Sequence, residues 1–127
     1  KKICIIDSGY ASTHDDLPPA SGTNMSLVDT NNNTVTFQWN TDGHGHGTHV
    51  AGVIAAISGN GKGSAGVVGQ NANYLHIVRI LDDSNEFVIR SSDVVNALDK
   101  CKDADADIIN MSLQSNTRVT AEETKCQ

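Results

Sequence analysis

Ile3-Cys4-Ile5-Ile6-Asp7-Ser8-Gly9 decides the fold. Its continuous apolar run is the pattern of a strand buried on both faces in a parallel sheet, and it stops where the turn formers take over. Asp7 thereby falls at a strand's carboxyl end, where open α/β sheets hold ligands and reacting groups. The same three letters also suit an aspartate that only bonds the backbone of the next turn. A functional reading of Asp7 therefore needs a partner.

Asp42-Gly43-His44-Gly45-His46-Gly47-Thr48-His49-Val50-Ala51-Gly52 supplies one. Val50, Val53, Ile54 and Ile57 recur at i, i+3, i+4 and i+7, which predicts a helix opening near His46 with one apolar stripe. Gly45 and Gly47 allow close backbone approach, and Gly52, at about 1 kcal/mol against alanine, predicts tight packing at that point. A helix weakened at its own start is explained if it must bring His46 beside Asp7. A carboxylate that fixes one imidazole tautomer makes the other ring nitrogen a usable base near neutral pH. These are two of the parts that turn a serine hydroxyl into a nucleophile.

His44, His46 and His49 with Asp42 also invite a zinc reading. The i, i+2, i+5 spacing does not set three imidazoles on one helix face, and no H-E-x-x-H follows. The roles expected are catalytic base for His46, buried helix packing for His49 and a loop position for His44. His14 reads as a surface residue and His76 as a strand residue.

In chain order these landmarks resemble the subtilisin-like serine proteases, the subtilases. Ile5-Ile6-Asp7-Ser8-Gly9 with His14-Asp15-Asp16-Leu17 resembles the family's aspartate motif, and His46 to Gly52 is similar to its histidine motif. Gly66-Val67-Val68-Gly69 resembles the stretch leading into the next strand, and Ile109-Asn110-Met111-Ser112-Leu113 the strand that walls the substrate pocket. The resemblance implies Asp7 and His46 as triad aspartate and histidine, and Asp16 as a ligand of structural Ca²⁺. It also implies a protein or peptide substrate held as an added strand between the edges around Asn85-Glu86-Phe87 and Ser112-Leu113-Gln114. Glu86 there would favour basic groups in the substrate. No Gly-Thr-Ser-x-Ala nucleophile segment occurs, and Ser8, Ser64 and Ser112 do not match it. Asn110 lies in the preceding strand and is not the oxyanion donor. The chain thus reads as the N-terminal half of a catalytic domain, a serine endopeptidase whose serine lies in the missing C-terminal half. The alternative is a truncated, catalytically inactive subtilase-like binding module. The loop from Ser58 to Ala65, which should complete the calcium site, is long, glycine-rich and without a carboxylate.

The expected architecture is α/β, a doubly wound parallel sheet that is incomplete in this chain. Strands are predicted at Ile3 to Asp7, Val35 to Trp39, Tyr74 to Leu81 and Ile108 to Leu113, with a polar loop from about Gly9 to Thr34. A second helix is expected from Ser92 to Lys102, with Val94, Ala97, Leu98 and Cys101 inward and Ser91 or Ser92 as cap. This is a βαβαβ order with right-handed crossovers. Gln114 to Gln127 carries almost no apolar stripe, so it does not close a domain, and a hydrophobic sheet edge should be left exposed.

Aromatics are only 4% of the 127 residues, so the core must be aliphatic. A net charge of −6 with scattered Lys and Arg disfavours nucleic-acid binding. No stretch is long and apolar enough for a membrane span, and Lys1-Lys2 runs straight into a strand, without a signal peptide. Secretion is implied by the resemblance alone. Cys4, Cys101 and Cys126 match no metal or redox spacing. Cys4 and Cys101 read as small buried hydrophobes rather than a disulfide, with Cys126 freer. In a secreted parent, Cys101 or Cys126 would have each other or a later cysteine as partner. Asn24-Met25-Ser26 and Asn32-Asn33-Thr34 are glycosylation sequons on the polar loop.

Overall fold

The computed structural model describes residues 1–29, 31–68, 74–83 and 89–114. In chain order the elements are β1 (Ile3–Asp7), β2 (Ser21–Thr23), β3 (Met25–Val28), β4 (Thr34–Phe37), α1 (His46–Ala55), β5 (Leu75–Arg79), α2 (Ser91–Asp103) and β6 (Ile108–Met111). Strands β2, β5, β1 and β6 form one parallel sheet in that spatial order, while β3 and β4 make a separate antiparallel hairpin.

Side-chain alternation along β1 builds the layers. Ile3 and Ile5 pack with Ala51 and Ala55 of α1, whereas Cys4 and Ile6 pack with Ala97, Leu98 and Cys101 of α2. Helices therefore cover both faces of the central strand, and all five of its residues are buried. The doubly wound α/β architecture expected from the apolar run is the one observed. By the same parity Asp7 shares the face of Ile3 and Ile5, which is the face of α1.

The stripe of α1 is not the expected one. Val53 is 59% exposed, Ile57 lies beyond the helix end, and the fully buried positions are Gly47, Ala51 and Ala55. Val50 and Ile54 are partly buried at the flanks. Approach distance explains the choice, because small residues at i, i+4 and i+8 let the helix axis lie closer to the sheet than a row of branched ones would. Gly47 is the tightest point: a Cβ there would sit 2.4 Å from the Gly9 carbonyl oxygen and 3.1 Å from Asp7 Cβ. Gly52, expected to mark tight packing, would place its Cβ no nearer than 3.8 Å to Leu17. Gly47→Ala is therefore expected to cost about 1–3 kcal/mol by overpacking. Gly52→Ala should instead stabilise by roughly 0.5–1 kcal/mol through helix propensity. Opposite shifts in the urea midpoints of the two variants would show this, and equal shifts would sink it.

The polar segment before Thr34 is also more ordered than its composition indicates, since it carries β2 and β3. Met25 and Leu27 alternate inward with Ser26 outward, and β2 is held partly through side chains. Ser21 Oγ lies 3.0 Å from Nδ1 of His76 and Thr23 Oγ1 lies 2.9 Å from its Nε2. Burial, with Lys2 adding to it, pushes the His76 pKa below the ordinary 6.5. The unfolded chain binds this proton more readily, so stability contributed here is full above pH 6.5 and falls as pH drops through it toward the lowered native value. Denaturation midpoints at pH 8 and pH 5.5 should differ less in His76→Gln than in the parent, by at most about 1.4 kcal/mol per pH unit.

Helix α2 starts one residue earlier than the expected caps. Arg90, rather than Ser91 or Ser92, is its N-cap position, and the Asp93 carboxylate of the first turn reaches back to accept the Arg90 N–H at 2.9 Å. Cys4 and Cys101 are joined in a disulfide, with Cα atoms 5.6 Å apart. This corrects their reading as separate buried thiols: an inward residue of β1 and an inward residue of α2 face one another across a single layer. Cys126 lies outside the described residues. Among the described residues β6 has a neighbour on one side only, and Ile108, Ile109 and Met111 are exposed. That is the uncovered apolar edge expected from the sequence.

Candidate active site

Asp7 ends β1 and is completely buried. Its Oδ1 accepts the Ser8 N–H at 2.7 Å and lies 2.7 Å from Nδ1 of His46. A carboxylate can only accept, so Nδ1 carries the hydrogen and Nε2 is left as the acceptor nitrogen. The His46 side chain is 41% exposed, so the pair joins a sheltered carboxylate to an imidazole open to solvent. The expected meeting of Asp7 and His46 thus occurs, at the carboxyl end of the sheet's central strand.

What delivers His46 there is the treatment of the helix start. Gly45, at φ 86°, occupies the N-cap position and offers no side chain to the orphan N–H groups of the first turn. Two side chains from outside the helix take over. Ser8 Oγ accepts the Gly47 N–H at 2.8 Å, and Asp42 Oδ2 accepts the Thr48 N–H at 2.8 Å and the Thr48 hydroxyl. Asp42 Oδ1 in turn accepts from Gly45 N–H and from the Ser8 hydroxyl, each at 2.8 Å. Thr48 Oγ1 also accepts the Ala11 N–H at 3.0 Å. One ring of hydrogen bonds therefore ties the turn after β1 to the first turn of α1, across the contact made possible by Gly47. Burial would raise the Asp42 carboxyl, but the donors of Thr48, Gly45 and Ser8 together hold it below the ordinary 3.8. Its negative charge also complements the positive end of the helix.

Sequence reasoning gave Asp42 no role beyond a weak metal pattern and set Ser8 aside as a poor nucleophile. A carboxylate four residues before the helix start was the available signal for Asp42. His49, expected inside, is exposed, because the helix buries the Gly47–Ala51–Ala55 line instead. His14 is exposed as expected, and its Nδ1 accepts the Asp16 N–H at 3.2 Å. His44 lies in the loop, its ring centroid 6.1 Å from that of His46.

Ser112 and Gln114 are exposed and Leu113 half-buried just past β6, with Asn110 Nδ2 donating to Ser112 Oγ at 3.0 Å. Asn85, Glu86 and Phe87, the other expected edge, lie outside the described residues. Asp16 is buried, and its surroundings do not fit a calcium ion. Oδ1 accepts from the Asn60 amide and Oδ2 from the Ser64 N–H, each at 2.8 Å, while a Cβ on Gly63 would sit 1.9 Å from Oδ2. The Asn60 oxygen accepts the Lys62 N–H, which fixes the amide with its nitrogen toward Asp16. Lys62 itself pairs with Asp15 at 2.9 Å. The loop thus presents N–H donors to a carboxylate, where a hard cation would need oxygens. The Ser64 and Asn60 bonds hold the Asp16 carboxyl below its ordinary range. No group of three His, Cys, Asp or Glu side chains suited to a metal occurs among the described residues. In Asp16→Asn the amide would meet these donors with one of its own, so the melting temperature should fall equally with calcium and with chelator. A loss confined to calcium-containing buffer would restore Asp16 as a ligand.

A parallel sheet here carries a buried aspartate against an imidazole at a helix start, an arrangement that leaves one ring nitrogen free to accept a proton. The sequence profile of the subtilase family, peptidase S8, matches residues 1–127, and the chain belongs to that family. It is 38% identical over 120 residues to subtilisin of Bacillus pumilus, an alignment covering 94% of this chain and 39% of that protein. To thermitase of Thermoactinomyces vulgaris it is 38% identical over 112 residues, covering 88% and 37% respectively. The crystal structure of the psychrophilic subtilisin-like protease Apa1 from Pseudoalteromonas sp. AS-11 superposes with a TM-score of 0.76 at 34% identity, over 98% of this chain and 27% of that one. The chain thus spans less than two fifths of the length of these relatives.

Proposed function

We propose that this chain carries the aspartate and histidine of a serine endopeptidase, and that the nucleophilic serine comes from the C-terminal remainder of the domain. The observation that carries the reading is the 2.7 Å contact between the buried Asp7 and His46 Nδ1. Asp7 keeps the proton on Nδ1 and stabilises the imidazolium, while Nε2 takes the proton of the serine hydroxyl as it attacks the peptide carbonyl. The same nitrogen then gives that proton to the leaving amine, and water hydrolyses the acyl-enzyme by the reverse path. Peptide or protein is the substrate class, laid as an added strand along Ser112-Leu113-Gln114 and Asn85-Glu86-Phe87. Among the described residues the edge of β6 is open and Ile108, Ile109 and Met111 are exposed, which supports docking of further sheet from the same domain.

Asp16 on this reading is a loop anchor, with no calcium bound at its carboxylate. The Cys4–Cys101 disulfide supports secretion, since such bonds persist in oxidising compartments. Among the described residues no helix is long and apolar enough to cross a membrane. The 127 residues alone should hydrolyse no peptide, whereas the product of the complete coding sequence should cleave casein and be labelled by a fluorophosphonate on a serine beyond Gln127. Casein turnover by the pure 127-residue chain that survives His46→Ala would overturn the mechanism. A complete product that neither cleaves nor labels would leave a binding module.

A further inference from the structure

The Asp7–His46 pair leaves a buried arginine unexplained. Arg79 ends β5 in register with Asp7 and is 6% exposed. A guanidinium does not give up its proton in a protein, so burying one demands acceptors on every side. Arg79 has them. Its Nε donates to the Leu81 carbonyl at 3.1 Å, and one terminal nitrogen donates to Thr41 Oγ1 at 2.7 Å and to the Thr41 carbonyl at 3.1 Å. The other terminal nitrogen donates to Asp83 Oδ1 at 2.7 Å, and the group lies 5.4 Å from the centroid of the Phe37 ring. Asp83 Oδ1 passes the contact on by accepting the N–H groups of Gly43 at 2.9 Å and His44 at 3.2 Å. Among the described residues, apart from Leu81 and Phe37, the partners that these two side chains have outside the pair lie in the 41–44 segment, which leads directly into His46.

That segment needs holding. It carries Gly43 and runs into Gly45 at φ 86°, so its own backbone restricts little. It is also pressed from both sides: a Cβ on Gly43 would lie 2.5 Å from the Asp83 carboxyl group, and one on Gly9 would lie 2.0 Å from the Thr41 carbonyl oxygen. We infer that Arg79 and Asp83 form a clamp that positions His46 for proton transfer, gripping from the end of β5 and the residues after it the segment that Ser8 and Asp42 tie to the first turn of α1. The inference rests on the reading of His46 as the general base. The Asp83 side chain is 53% exposed, so as an ion pair it adds little to global stability. Its effect falls on the imidazole instead, whose displacement by about 1 Å can cost on the order of a hundredfold in rate.

The test uses the product of the complete coding sequence and a chromogenic peptide amide. Asp83→Ala should lower kcat by about tenfold or more with KM held within about twofold, because ground-state binding is untouched. Asp83→Asn, which keeps an acceptor oxygen toward Gly43 and His44, should recover most of that loss. Thr41→Val, which removes a hydroxyl from the clamp without altering Asp83, should lower kcat in the same direction and serves if Asp83→Ala does not fold. Unchanged kcat in folded Asp83→Ala, or a loss that vanishes after normalising to the folded fraction, overturns the clamp. His46→Ala separates the two readings: full activity there removes the base, while loss there with a normal Asp83→Ala removes the clamp alone.

Discussion

Asp7→Asn in the complete protein is expected to lower kcat by about four orders of magnitude while leaving the fold intact. The substitution keeps volume and shape at a position with no solvent exposure, so packing against α1 is undisturbed. Chemistry changes in either orientation of the new amide. With nitrogen toward His46, the amide donates to Nδ1, the ring proton moves to Nε2, and the base is lost. With oxygen toward His46, the tautomer survives but no negative charge remains to stabilise the imidazolium as it forms. Nitrogen toward His46 sets a donor against the Ser8 N–H that Oδ1 accepts, and oxygen toward His46 buries an amide nitrogen where Oδ2 has no hydrogen-bond partner among the described residues, so the melting temperature should fall modestly while the fold persists. Kinetics of parent and variant on one peptide amide, with thermal melts of both, decide the matter. A variant within tenfold of the parent would mean that Asp7 only closes the turn through the Ser8 N–H.

The parts legible in the sequence are those where one short segment decides its own structure. The span of β1 follows from an apolar run cut off by Asp7-Ser8-Gly9, and the start of α1 follows from glycines giving way to a periodic segment. What was misread depends on a second segment. Val53 looks more like a core residue than Gly47 or Ala51, yet the face of α1 that meets the sheet is chosen by how closely two backbones can approach. β2 was hidden because Ser21-Gly22-Thr23 has no apolar run, and it is held by His76 from the neighbouring strand. Asp42 is marked only by its place four residues before the helix start, and Ser8, Arg79 and Asp83 carry no local mark of their roles. Each acts on the His46 segment from a different part of the chain, and only the folded arrangement shows that they converge.

Removing the Cys4–Cys101 bond should produce the largest loss of stability available from a change remote from the site. The bond links residues 97 apart in sequence, and chain-entropy estimates for a loop of this size give about 4–5 kcal/mol. Both cysteines are fully buried, so a mild reductant without denaturant should leave activity unchanged, whereas reductant with urea should lower the midpoint. In Cys4→Ala/Cys101→Ala the midpoint should fall and the urea dependence steepen, because the uncrosslinked denatured chain exposes more surface. Rate per folded molecule should stay near the parent's, since Asp7 is held by its place in β1 and by the Ser8–Asp42–Thr48 ring, none of which involves sulfur. A double variant with an unchanged urea midpoint would mean that sheet and helix are already locked without the bond. A variant that is stable but slow would mean instead that the tether from α2 sets the height of β1, and with it the distance from Asp7 to His46.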